Sequence, residues 1–303
     1  MPVSELLFDL TLGTLLLILA GSALHVRHLY TGIILFIAFG LLLALCWARL
    51  GAADLALAEA AIGAGLTGVL LLAALSQAPR EPEARPAAPG NTLAAGLLGA
   101  LVTLLLIRVV VPLEQGPHLL PGLVSEQLEA SGVSHPVTAV LLNFRAWDTL
   151  LELVVLLLAV LGVRQLRPAS GTAPAVWPLL QAWSHILAPL AIILAGYLLW
   201  RGSSAPGGAF QAGALLAAGI VVLRLAGLLP VLHWGLWPIR ASLLIGSGLF
   251  TGIAAASHWL GDGWLVLPTA WAGSLILLIE IAATLSIAVS LSLLVVGERE
   301  ELG

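Results

Sequence analysis

The chain has no lysine, and only one cysteine, one methionine and two tyrosines among 303 residues. Its 12 cationic side chains are therefore all arginine, and charged residues make up only 9% of the sequence. Soluble domains carry about 25%, so a soluble globular fold is excluded. A nucleic-acid binder, which needs a basic face, is excluded with it. The single thiol, Cys46, rules out a disulfide framework, a thiolate zinc site and iron–sulfur ligation from this chain alone. No two of the seven histidines stand at metal-ligand spacing on a shared predicted face, so no metal and no cofactor are expected. Walker, HExxH and GxSxG patterns are also missing. What abounds is apolar: 60% of residues are hydrophobic, with a mean hydropathy of +1.08. The composition specifies an all-α polytopic membrane protein.

A bilayer core asks for about 20 apolar residues per helix. Nine such runs occur, at 4–24, 29–50, 53–77, 92–112, 147–166, 182–200, 206–228, 239–260 and 268–296. Strand-like alternation is absent, so these are helices and not barrel strands. The first run lacks a basic flank and holds Glu5 and Asp9, which marks a span, not a cleaved signal peptide. Proline-rich stretches at 78–90 and 167–178 read as solvated linkers. The stretch 113–146, with Glu114, Glu126, Glu129 and His135, predicts a short surface helix. With the N-terminus outside, Arg27, Arg80, Arg85, Arg164, Arg167, Arg224, Arg240 and Arg299 fall on the cytoplasmic side. Only Arg49, Arg108, Arg145 and Arg201 fall on the other, so the expected topology is N-out, C-in. The tryptophans cluster near span ends as an interfacial belt.

A charge inside a bilayer costs at least ~2.5–3.5 kcal/mol on insertion scales, so intramembrane acids are candidate functional groups. Asp54 and Glu59 open the third span and lie about 140° apart on a regular helix, each toward a different neighbour. Asp54 is either an ion-path acid or an N-terminal charge favoured by the helix dipole. Glu59, deeper in, is positioned to exchange protons. Asp148 and Glu152 share one helix face with Arg145, as a relay or as a charged helix start. Glu152 is the deeper of the two. Glu280 sits near the middle of the last span, with no other acid or base between Trp271 and Glu298. It takes its partner from another helix or chain, or stays protonated for packing.

Two glycine patterns need separate readings. Gly63, Gly65 and Gly68 spell a dinucleotide-like GxGxxG, but inside an apolar helix with no preceding strand. It is a surface for close helix approach. The run Arg201 to Leu215, RGSSAPGGAFQAGAL, breaks helicity at Pro206, Gly207 and Gly208 and resumes it at Phe210. It forms either an ordinary hairpin or a non-helical element lining an ion path, tolerated only where shielded from lipid.

These segments resemble a known family. Arg201 to Gly213, RGSSAPGGAFQAG, resembles the RGxxAPGGGFxGG signature of MnhB-type subunits of Mrp multisubunit antiporters, with Ala209 and Ala212 in place of Gly. Asp54 to Leu66 (DLALAEAAIGAGL) resembles the MbhD-type module at the C-terminal end of the large antiporter subunit. Asn143 to Glu152 (NFRAWDTLLE) is similar to the NFRGxDTLGE motif of the adjoining MbhE-type module, with Leu151 replacing a glycine. The resemblance divides the chain into MbhD-like 1–90, MbhE-like 91–167 and MnhB-like 168–303, with three, two and four helices.

The resemblance implies a multi-pass subunit of the cell inner (cytoplasmic) membrane. It implies partners too: NuoL-like, NuoN-like and NuoK-like antiporter subunits and small Mrp subunits. The work implied is exchange of Na+ or another monovalent cation for H+, with Asp54, Glu59, Arg145, Asp148, Glu152 and Glu280 as ion-path residues. The alternative is an ion-translocating membrane-arm subunit of a hydrogenase-like or ferredoxin-linked complex. Either way the chain is expected to be a transporter subunit, not itself an enzyme. A structural spacer has no reason to carry the insertion penalty of Glu59 and Glu152. Glycine-rich faces (Gly63, Gly65, Gly68, Gly246, Gly248) suit packing against other helices, so the chain alone should be unstable. A monodisperse, thermally stable monomer in detergent would overturn that expectation.

Overall fold

The computed structural model describes residues 3–77, 89–113, 119–166, 178–230, 232, 234–261 and 263–296. The linkers expected at 78–90 and 167–178 fall almost wholly outside them, as do Glu114, His118, His233, Arg80, Arg85, Arg167 and Arg299. The described residues are helical, and no strand occurs among them. The helices are α1 (Val3–His25), α2 (Leu29–Arg49), α3 (Ala53–Ala58), α4 (Thr67–Gln77), α5 (Pro89–Leu113), α6 (Leu119–Gln127), α7 (Pro136–Ala139), α8 (Ala146–Gln165), α9 (Pro178–Arg201), α10 (Ala209–Leu225), α11 (Trp237–Leu260) and α12 (Ala272–Val296). Eight segments among the described residues are long and apolar enough to cross a membrane, with α3 and α4 counting as one span, Ala53–Ser76. The ninth expected span, 206–228, forms only the 17-residue α10.

The chain divides into two units, Met1–Gln77 with Gln127–Gly303, and Ala78–Glu126. The smaller unit holds the apolar α5 and most of α6, the surface helix anticipated within 113–146. In the larger unit α12 is the central helix. Its Ile276, Ile279, Ala283 and Ile287 are no more than 1% exposed. Lipid tails are as apolar as leucine, so helices in a bilayer associate through close packing and hydrogen bonds instead of water exclusion. The contacts of α12 meet both requirements, with a glycine or serine on at least one side of each. Ser286 Oγ donates to Leu243 O of α11 at 2.7 Å, and a Cβ on Gly246 would stand 2.8 Å from Ser286 Cβ. On α10, a Cβ on Gly213 would stand 2.7 Å from Ile287 Cγ2.

The third span is not one regular helix, contrary to the 140° wheel drawn for it. Between α3 and α4 the backbone widens into a π-helical stretch, Glu59–Leu66. It packs on α2, where a Cβ on Gly40 would stand 2.8 Å from Ala64 Cβ and a Cβ on Gly68 would run into Ile37. Gly68 therefore does serve close helix approach. Gly63 serves a side chain instead, leaving room for the Glu59 carboxyl folded over it. A second π-helical stretch, Val140–Phe144, precedes α8.

Ion pairs and cation–π contacts tie span ends together. At one end Arg49 bonds Asp9 at 2.8 Å and Glu5 at 3.2 Å, tying the end of α2 to the start of α1. At another, the Arg164 guanidinium of α8 lies 4.3 Å from the centre of the Trp234 ring and that of Arg240 in α11 lies 5.9 Å from it. Packing of the central helix yields a direct expectation. Gly213→Ala forces a methyl into Ile287 and should lower the unfolding midpoint of the purified assembly, at a cost of about 1–3 kcal/mol. Gly248→Ala, where nothing lies within 4 Å, should leave it unchanged or raise it, since alanine is the better helix former. Equal midpoints in a thermal melt of the two variants would refute this.

Candidate functional site

The site grows from the break after α9. Leu198 O accepts the amides of Gly202 (3.1 Å) and Gly208 (2.9 Å), so the chain folds back on its own last turn. Such a fold-back leaves no space for side chains. A Cβ on Gly202 would stand 2.7 Å from Gly208 Cα, and Gly208 has φ +105, a left-handed value that glycine adopts without penalty. The closeness of these glycines opens the turn to a carboxylate. Glu280 lies in the third turn of α12, about 12 Å along it at 1.5 Å per residue, and is 2% exposed. Its Oε1 sits 3.0 Å from where a Cβ on either Gly202 or Gly208 would be. The amide of Ala209, the first of α10, donates to the carboxylate. The positive end of that helix faces it. Oε2 is buried and has no hydrogen-bond partner among the described residues. Among the described residues the partner of Glu280 is thus a helix start, neither an acid nor a base.

A second carboxylate holds the other side of the turn. Asp54, near the start of α3, accepts the Gly207 amide on Oδ1 at 3.1 Å. Its Oδ2 lies 2.9 Å from His135 Nε2, and its carbonyl accepts Gln211 Nε2 at 3.4 Å. Asp54 is therefore more than a helix-dipole charge: it joins the first module to the last. The residues before α7 then close over the turn. Ser134 and His135 donate their amides to Ser203 O at 3.0 and 3.1 Å, and the buried Thr138 Oγ1 donates to Gly202 O at 2.5 Å. Position 132 must be glycine here, with φ +81 and Gly273 and Ala272 of α12 pressed against it.

The motif residues divide between this cluster and the rest of the molecule. Arg201 ends α9 half-buried, Pro206, Gly207 and Gly208 form the turn, and Phe210 packs into the core from the first turn of α10. Asp54 and Glu280 meet the turn from opposite modules. Glu59, Arg145, Asp148 and Glu152 stand apart, with no hydrogen bond or ion pair to this cluster among the described residues. Arg145 caps α8 and pairs with Asp148 at 2.5 Å, both substantially exposed. Glu152 lies one turn further on an exposed face. Asn143 is structural: its Nδ2 donates to Ser131 O at 3.0 Å. His135, Thr138 and Gln211 escaped the sequence reading. Gln211 lies inside the conspicuous turn motif, but nothing local marks a histidine whose partner is 81 residues away.

A multi-pass membrane protein, helical throughout its described elements, with an N-terminal and a C-terminal module that share one broken-helix turn, is the class these features define. Residues 14–80 match the MbhD family model, a component of MBH, and residues 179–299 match that for the domain related to the MnhB subunit of the Na+/H+ antiporter. The chain thus carries an MbhD-like module followed by an MnhB-like module. Its fold is similar to that of a chain in the structure of the Mrp complex from Dietzia sp. DQ12-45-1b, with a TM-score of 0.75 and 23% identity. The likeness covers 97% of this chain and 35% of that one, so the chain spans about a third of the length of the chain it matches. No curated protein matches it.

The bond from Thr138 to Gly202 should be measurable by itself. Thr138→Val keeps the shape but strands a buried carbonyl, at a cost of ~1 kcal/mol. The unfolding midpoint of the purified assembly should drop accordingly, and an unchanged midpoint would count against the bond.

Proposed function

We propose that the chain is a membrane subunit of a multisubunit Na+/H+ antiporter, contributing part of an ion path beside NuoL-like, NuoN-like, NuoK-like and small Mrp subunits. The observation that carries this reading is Glu280: a buried carboxylate in mid-span, with one oxygen on a helix-start amide and the other without a partner among the described residues. Such a group binds and releases a proton without leaving its place. Glu59 over Gly63, and Glu152 beyond the Arg145–Asp148 pair, extend the path toward partner chains. Residues 91–167 act as the MbhE-like module between the two matched ones. The membrane is the inner, cytoplasmic one and the topology is N-out, C-in. The arginine balance supports that, as does the convergence of Arg164 and Arg240 on Trp234 at one end.

The match of 14–80 to MbhD favours one further reading, a membrane arm of a hydrogenase-like or ferredoxin-linked complex. Co-purification of the tagged chain from native membranes separates the two, because redox subunits accompany only the second. In vesicles holding the intact complex, Glu280→Gln, Glu59→Gln and Glu152→Gln should each cut cation-dependent proton movement by about two orders of magnitude, the scale of a proton-transferring side chain. The corresponding Asp variants of Glu59 and Glu152 should retain part of it. Wild-type rates in all three Gln variants at normal yield would sink the proposal.

A further inference from the structure

Residues 81–178 lie outside both family matches, yet they supply the clasp that closes over the turn. Within that clasp His135 is the member whose side chain reaches the first module, through Asp54. We infer that His135 is a positioning residue for ion exchange at Glu280: it orients Asp54, which fixes the Gly207 amide and with it the turn that presents Ala209 N–H to Glu280. The inference rests on Glu280 being an ion-carrying carboxyl, as proposed above.

The turn cannot hold itself in place. Its three glycines have the widest backbone freedom of any residue, so its geometry comes from the groups that grip it. Asp54 divides its two oxygens between two tasks, Gly207 on Oδ1 and His135 on Oδ2. The side chains of both partners are shielded, His135 at 13% and Asp54 at 16% exposure. Loss of the imidazole would free the carboxylate to rotate away from Gly207. The clasp itself would survive that loss, because its grip on Ser203 uses the amides of Ser134 and His135 and its grip on Gly202 uses Thr138. The imidazole therefore controls where the turn sits, not whether the clasp folds.

The test uses the intact complex in vesicles, with Na+-driven proton movement followed by a pH-sensitive dye. His135→Ala should lower the maximal rate roughly tenfold, the scale of one lost hydrogen bond to a charged group, at normal complex yield. His135→Phe, which preserves ring volume but cannot donate, should match it. It serves as the same comparison if the alanine variant assembles poorly. His135→Gln, whose amide still donates to Asp54, should recover most of the rate. His135→Ala added to Asp54→Ala should cause no further loss, because both break one connection. Wild-type rates in the Ala and Phe variants would overturn the inference. So would a Gln variant as slow as Ala, which would make the imidazole itself the proton carrier, and so would multiplicative losses in the double variant. Glu280→Gln separates the two levels. Its full activity defeats the reading of Glu280, whereas its loss beside a fully active His135→Ala defeats only the positioning role.

Discussion

A backbone that leaves the helix where its glycines, Gly202 and Gly208, are buried must find protein partners for its amides and carbonyls, since an unpaired buried polar group is costly. The Gly202–Gly208 turn meets that demand through partners drawn from four places. Leu198 O takes two amides, Asp54 takes the Gly207 amide and Glu280 the Ala209 amide. Thr138 satisfies Gly202 O, and Ser134 and His135 satisfy Ser203 O. Those partners come from the start of α3, the clasp at α7, the end of α9 and the third turn of α12. One constraint on one turn thus ties together segments that are far apart in sequence.

Helix lengths follow from the same constraint. Because the turn lies against the third turn of α12, α10 starts below the level at which α12 begins. It runs for 17 residues, shorter than the apolar run 206–228 from which it forms. Each close contact of the central helix has a glycine on the neighbour, Gly213 of α10 against Ile287 and Gly246 of α11 against Ser286, since a side chain at either glycine would hold that helix away. Packing and chemistry share the same small residues, so the Gly213–Ile287 and Gly246–Ser286 contacts bear on the site as well as on stability.

The remaining acids follow a different logic. Glu59 sits where the third span widens into a π-helical stretch, a local irregularity often found at functional sites. Glu152 faces outward from α8, in a run where an uncovered carboxylate would meet lipid at a cost of at least ~2.5 kcal/mol. Within the chain itself, only Asp54 and Glu280 converge on the turn among the described acids.

The membrane class, the helical spans and the importance of the Pro-Gly-Gly break were legible in the sequence, because each rests on local composition: long apolar runs, a helix-breaking triplet and isolated acids within them. Asp54 and Glu280 stood out for the same reason, as charges where charge is costly. Their shared task did not, since 226 residues separate them and spacing along a chain says nothing about which amide a carboxylate will meet. The π-helical widening at Glu59 was hidden by a regular-helix wheel, as it goes with the packing of Gly40 on Ala64 across two helices. His135 was one polar residue of the 113–146 stretch, without a role, until the tertiary fold set it 2.9 Å from Asp54. Local pattern determined what the elements are. Only the packing of distant segments around an otherwise unsatisfied turn decided which side chains meet there.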